Sequence, residues 1–205
     1  NVLIAGFVDP RDVPTFVDNM LQNYNQYYDI VNFHSYSEDD REIINAINYI
    51  KGRMNAYNIN KPLWITETAT LTEYSTGWQN KVARGVVKRY VSALGNGIEK
   101  VFWWPFVGEP VLEEGGKSQK TIALVWAIKG SGEFHPRQAY NTYKLMTSKL
   151  KGFSSVTRIT DTQYMFVVNN KLVYVLWGSG SIPAEISGTL KVTDYLGNIE
   201  TKQSS

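Results

Sequence analysis

Pro62-Leu63-Trp64-Ile65-Thr66-Glu67-Thr68 is the stretch on which the fold is decided. A proline opens it, strand-forming residues follow, and an acid stands where the apolar run ends. Leu63 and Ile65 have the parity of Glu67, so a regular extended backbone puts all three on one face. An ionised carboxylate among them needs hydrogen-bond donors or a second charge. The plain alternative is a salt bridge from Glu67 to a loop lysine or arginine.

Working outward, the same alternation of strand and helix recurs. Upstream, Asp29-Ile30-Val31-Asn32-Phe33-His34 reads as a strand. It leads to a helix at about 40–57, with Ile43, Ile44, Ile47, Ile50 and Met54 on one stripe. Before these come a strand at about 2–7 and a helix at about 14–25. Downstream, Thr76 and Gln79 have capping-box spacing ahead of a helix at about 77–94. A strand, Lys100-Val101-Phe102-Trp103-Trp104, follows and is broken by Pro105. After a loop rich in Gly and Glu, Ile122 to Ile128 reads as a strand or hairpin. Pro136 suits the first turn of a last helix ending near 149. Four strand–helix repeats imply an α/β fold with a parallel sheet covered by helices, its chemistry at the C-terminal strand ends.

Past Gly152 the pattern changes to short strands near 156–160, 163–169, 171–178 and 186–194. Turn signals separate them at Asn169-Asn170, Gly178-Ser179-Gly180 and Gly197-Asn198. The expected division is therefore 1–151 for the α/β part and 152–205 for a small antiparallel β-domain, with no closing strand visible after the last turn. The first residues lack the basic region and cleavage site of a signal peptide and read as a buried strand, so the chain is expected to begin inside a fold.

Composition narrows the function. The chain of 205 residues is 43% hydrophobic and 20% charged, as in an ordinary globular protein. A net charge of +2 and the lack of a Lys/Arg run argue against nucleic acid as a partner. No apolar run has the length of a membrane span. The absence of cysteine excludes disulfides, thiolate-bound zinc and a cysteine nucleophile. No phosphate-binding glycine loop is present and the two histidines lie far apart, so neither a cofactor nor a metal is expected. The 13 Tyr and 6 Trp would suit sugar binding, although a core can use them equally.

The candidate residues stand at strand ends. Asn32, His34 and Tyr36 share parity and face one side. At an open rim such groups are hydrated or bind ligand, whereas in packed layers they would be costly. Alone, His34 reads as a histidine bonded to a backbone carbonyl; His-x-Tyr at a strand end points to function. One of Trp103 and Trp104 faces inward as a platform for a sugar ring, and parity leaves open which. Glu73, Glu109, Glu113 and Glu114 are loop acids, Asp9 and Asp29 turn or boundary residues, and His135 a loop residue.

At these residues the chain resembles the retaining glycosidases built on (β/α)8 barrels, the superfamily of cellulases, mannanases, β-xylosidases and β-galactosidases. Tyr28 to Tyr36 is similar to their sixth strand, Pro62 to Thr68 to their seventh, and Val101 to Trp104 to their eighth. Pro136 to Leu150 resembles the last barrel helix, and the sequence beyond it the small appended β-domain. The resemblance implies strands 5–8 of a TIM barrel, with Glu67 as catalytic nucleophile and Tyr36 orienting it. It implies that His34, Asn32, Trp103 and Trp104 bind a carbohydrate substrate, in an extracellular or cell-surface setting. Family members carry a second glutamate, the acid/base, after an asparagine on strand four. No Asn-Glu pair occurs here, so the chain alone is expected to be inactive and to need a missing N-terminal half-barrel or a homo-oligomeric partner. The rival expectation is a non-catalytic carbohydrate-binding or structural protein derived from such a barrel.

Overall fold

A computed structural model of the chain describes residues 1–109, 119–128 and 130–203. At its centre is a parallel sheet of three strands, β1 (Val31–Ser37), β2 (Leu63–Thr70) and β3 (Lys100–Trp103), in that order. The segment expected as a strand over 2–7 runs beside β1, but two isolated parallel bridges, Leu3–Ile30 and Phe7–Phe33, hold it rather than a ladder. Spatial order therefore follows chain order across four extended segments. Among the described residues the sheet does not close on itself.

Three helices make the connections: α1 (Pro14–Asn23), α2 (Glu42–Ala56) and α3 (Trp78–Gly95). Pro14 suits the first turn of α1, where its missing N–H costs nothing. On α2, Ile43, Ile47, Ile50 and Met54 recur at helical spacing and are all buried. They meet Val31, Phe33, Leu63 and Ile65 of the sheet in one apolar cluster. Truncating Ile47 there, for example Ile47→Ala, would cost about 2–5 kcal/mol. The capping box expected before α3 does not form. Gly77 occupies the N-cap with φ of 83°, and no side chain caps the helix.

Beyond β3 come β4 (Val107–Gly108), α4 (Gln119–Ile122), β5 (Val125–Ala127) and β6 (Phe134–Pro136). β5 lies between a parallel β4 and an antiparallel β6. Pro136 ends β6 instead of opening the helix, and α5 (Gln138–Leu150) starts after Arg137. His135 is likewise a strand residue, stacked on Trp126 across the β5–β6 pair at 3.9 Å between ring centroids.

The last quarter is antiparallel. β7 (Phe153–Thr160), β8 (Gln163–Val168) and β9 (Lys171–Leu176) form a meander. Asn169 and Asn170, both at positive φ, make the β8–β9 turn. A hairpin of β10 (Thr189–Thr193) and β11 (Ile199–Gln203) follows, so a strand does come after the Gly197-Asn198 turn. Tyr164 and Phe166 of β8 share a core cluster with Val86 and Tyr90 of α3 and Met146 of α5. Gly95 makes room for this contact: a Cβ there would stand 2.4 Å from the Tyr164 ring.

Among the described residues no helix is long and apolar enough to cross a membrane.

Candidate functional site

All three helices lie against one face of the parallel sheet, and the polar side chains gather on the other. Regular alternation puts Asn32, His34 and Tyr36 there, opposite the buried Val31, Phe33 and Ser35. On β2 the alternation is interrupted. Phe33 pairs with Ile65, but His34 pairs with Glu67, so Thr66 is an extra residue in the ladder. The pairing with β3 shows the same step, from Ile65–Val101 to Thr68–Trp103. This is a β-bulge, which lets two consecutive side chains serve one face. It also overturns the expected parity. Leu63 and Ile65 pack against the α1–α2 side, whereas Glu67 meets His34 and Tyr36 on the opposite face. After the bulge Thr68 and Thr70 return to the helix side, where they bond Arg89 and Asp40.

The geometry centres on one oxygen. Tyr36 Oη donates to Glu67 Oε2 at 2.6 Å, and His34 Nδ1 lies 3.3 Å from the same atom. Glu67 Oε1 has no hydrogen-bond partner among the described residues. The Glu67 side chain is 31% exposed and that of His34 20%, so the carboxylate is accessible yet held. Burial pushes the Tyr36 phenol well above its usual range, and the bond to Glu67 pushes it further the same way. Tyr36 is therefore a neutral donor at physiological pH that fixes one oxygen of the carboxylate.

The surrounding residues divide in role. Trp104 joins the site, its ring edge-on to Tyr36 at 6.2 Å. Trp103 does not: its indole N–H donates to the Ile122 carbonyl at 2.7 Å inside the core. Asn32 is buried and engaged, accepting from Thr66 Oγ1 at 2.6 Å and donating to the Ile4 carbonyl at 3.4 Å. It braces β1 against both neighbours. Of the weaker acids, Asp9 holds Arg11 and Asp29 holds the backbone N–H of Val2, while Glu73 and Glu109 are exposed. Glu113 and Glu114 lie outside the described residues.

Two contributors escaped the sequence reading. A Cβ on Gly6 would stand 2.3 Å from His34 Nε2, so only glycine lets the edge segment lie against that ring. A glycine inside an apolar strand pattern is the signal that could have found it. Arg89 lies fully buried beneath the site. Its place three residues after Val86, on the apolar stripe of α3, was the available signal.

A groove of about 490 Å³ opens on the helix side, lined in part by Asp39, Asp40, Lys81, Lys88 and Trp177. Lys81 pairs there with Glu38 and Lys88 with Asp40, and neither pair includes a residue of the Glu67 constellation. Among the described residues no three His, Asp or Glu side chains converge as metal ligands.

The model of a family described as glycosyl hydrolase catalytic core matches residues 11–120, which is 110 of 205 positions. No curated protein matches the chain. Among solved structures, similar ones include a GH128 (subgroup I) endo-beta-1,3-glucanase from Amycolatopsis mediterranei. A mutant of that enzyme in complex with laminarihexaose is 17% identical over 58% of this chain and 56% of that one, with a TM-score of 0.37. The same mutant without that ligand is 18% identical over 64% and 50%, with a TM-score of 0.39. The chain thus spans about half the length of these structures.

Proposed function

The chain belongs to the glycosyl hydrolase catalytic core family, and on that premise we propose that it forms strands five to eight of a (β/α)8 barrel and supplies the nucleophile of a retaining glycosidase acting on a β-linked oligo- or polysaccharide. One observation carries this reading: Tyr36 and His34 converge on Oε2 of Glu67 while Oε1 has no hydrogen-bond partner among the described residues. The all-parallel segments in chain order, with helices on one face and the polar site on the other, support the barrel. The boundary near residue 151 separates this unit from a β-appendage, and a substrate of this class suits an extracellular or cell-surface setting.

In the proposed reaction Glu67 Oε1 attacks the anomeric carbon. The bond from that carbon to the leaving oxygen breaks, and this oxygen takes a proton from a second carboxylic acid. Water, deprotonated by that same carboxylate, then attacks the glycosyl ester and releases Glu67. The second group belongs about 5–5.5 Å from Glu67 and comes from the barrel wall facing this sheet. Tyr36 fixes Oε2 through both steps, and His34 and Trp104 hold the sugar. Trp104 offers a ring beside Tyr36, which suits a carbohydrate platform.

The test avoids the need for an acid. An activated 2-fluoro aryl glycoside has a leaving group that departs without protonation, so Glu67 alone can be glycosylated. The expected result is a mass increase of one glycosyl unit on the peptide containing Glu67. Persistent absence of labelling across gluco-, manno- and xylo-configured reagents would sink the nucleophile and favour a binding protein. Laminarihexaose has a leaving group that needs protonation, so its hydrolysis is followed only with a second half that supplies the acid, where early release of the β-anomer would establish retention.

A further inference from the structure

Arg89 is the largest fully buried side chain of the molecule's described part, with an exposure of 0%. It rises from α3 to the underside of the sheet, on the face away from Glu67. There Nε donates to Thr68 Oγ1 at 2.7 Å, and Nη2 donates to the Ser35 carbonyl at 2.7 Å and to Ser35 Oγ at 2.9 Å. Thr68 Oγ1 in turn donates to the same Ser35 carbonyl at 2.8 Å. The result is a closed triangle of bonds across β1 and β2.

Its position in the ladder is specific. Ser35 pairs with Thr68, the step directly after His34–Glu67 and directly before Tyr36–Ala69. The Thr68 carbonyl also accepts from the backbone N–H of Trp104 at 3.1 Å. The clamp therefore grips the residues adjacent in sequence to His34, Tyr36 and Glu67, and the partner of Trp104. It lies immediately past the bulge, where an extra residue has disrupted the regular ladder and the register is least defended.

No carboxylate forms a salt bridge or hydrogen bond with Arg89 among the described residues. Arg89 Nη1 is buried with no hydrogen-bond partner among the described residues. Burial pushes the guanidinium down to about 10, with the charges of Asp40 and Asp9 opposing. An apolar side chain would fill the space without an unmet donor, so the planar fork is what the site uses.

We propose that Arg89 is a positioning residue that locks the β1–β2 register past the bulge and thereby aims Glu67 at Tyr36 and His34. For catalysis this inference rests on the nucleophile reading above, but its structural content can be measured without any sugar. The chain is labelled with ¹³C at tyrosine Cζ and glutamate Cδ, and the Tyr36 and Glu67 signals are assigned with Tyr36→Phe and Glu67→Gln. Arg89→Met is then compared with Val86→Ala, which truncates a buried neighbour on the same helix.

The expected result is that Arg89→Met moves or broadens both signals, Arg89→Lys restores them only in part, and Val86→Ala leaves them in place. Unchanged Tyr36 and Glu67 signals in a folded Arg89→Met chain would overturn the proposal, as would equal shifts in Val86→Ala. Should Arg89→Met not fold, Thr68→Val removes the Nε acceptor and keeps the charge, and the same readout decides. Glycosylation of Glu67 should slow about 10- to 100-fold in Arg89→Met. If the signals move while Glu67 is never glycosylated in any variant, the positioning role stands and the glycosidase reading falls.

Discussion

Tyr36 Oη and Glu67 Oε2 stand 2.6 Å apart across a gap of 31 residues in the chain. The bond spans two neighbouring parallel strands and depends on the bulge at Thr66, which turns Glu67 toward β1. A phenol kept neutral by burial retains its proton, and Tyr36 donates it to Glu67 Oε2, which fixes the orientation of that side chain.

Replacing Glu67 should separate chemistry from folding. Glu67→Gln keeps the shape and a carbonyl for Tyr36 to bond but removes the attacking charge. Glycosylation should fall by at least about 10³-fold, judged against nucleophile deletions in other enzymes. The side chain is partly exposed, so stability should stay within about 1 kcal/mol of wild type. Urea unfolding beside a labelling assay checks both, and normal labelling in the variant removes Glu67 from the mechanism.

Tyr36→Phe should act more mildly. It deletes one hydrogen bond to a charged group and leaves the Trp104 ring contact. The unfolding free energy should drop by about 1 kcal/mol. The glycosylation rate should fall about 10- to 100-fold through loss of orientation, with little change in apparent affinity. A variant with wild-type rate would show that His34 alone suffices to hold Oε2.

Gly6→Ala tests the edge segment. The new methyl would meet His34 Nε2 at 2.3 Å and Asn32 Nδ2 at 3.1 Å, so the imidazole must turn away from Glu67. Gly6 is exposed and the ring can move, so the fold should survive. Glycosylation of Glu67 should slow by about tenfold or more. Retained His34–Glu67 proximity, read from imidazole ¹⁵N shifts, would show that the backbone moves instead.

Much of this arrangement could be read from the residues, and the failures have physical causes. The helices were visible because Ile43, Ile47 and Ile50, or Val82, Val86 and Tyr90, repeat at 3.6-residue spacing and are buried accordingly. His34, Tyr36 and Glu67 were visible because polar side chains at the ends of apolar strands stand out. The bulge was not, since Thr68 and Thr70 satisfy burial through Arg89 and Asp40 rather than by being apolar. A hydrophobic pattern is blind to that kind of inward-facing residue. The choice between Trp103 and Trp104 hung on the same missed step. Local chemistry also misled at Thr76 and Pro136, where a glycine in the left-handed region and a short third strand took the places expected of a cap and a first helical turn.

Alkaline titration offers a last test, with its sign set by the buried phenols. Burial raises Tyr90 above its ordinary value, with Tyr143 adding to the shift, and burial also raises Tyr36 and Tyr28. An unfolded tyrosine ionises near about 10, while these stay protonated in the folded chain. Above that pH the folded state binds more protons than the unfolded one, so stability must fall as pH rises. Below it the contribution is fully present. Each such tyrosine steepens the decline by up to about 1.4 kcal/mol per pH unit. Tyr90→Phe should therefore lose less stability than wild type between neutral pH and pH values above about 10. Urea midpoints across that range decide the matter. Parallel curves for Tyr90→Phe and wild type would mean that the phenol ionises freely in the folded chain, and that the core around Tyr90, Tyr143 and Trp103 is looser than the packing implies.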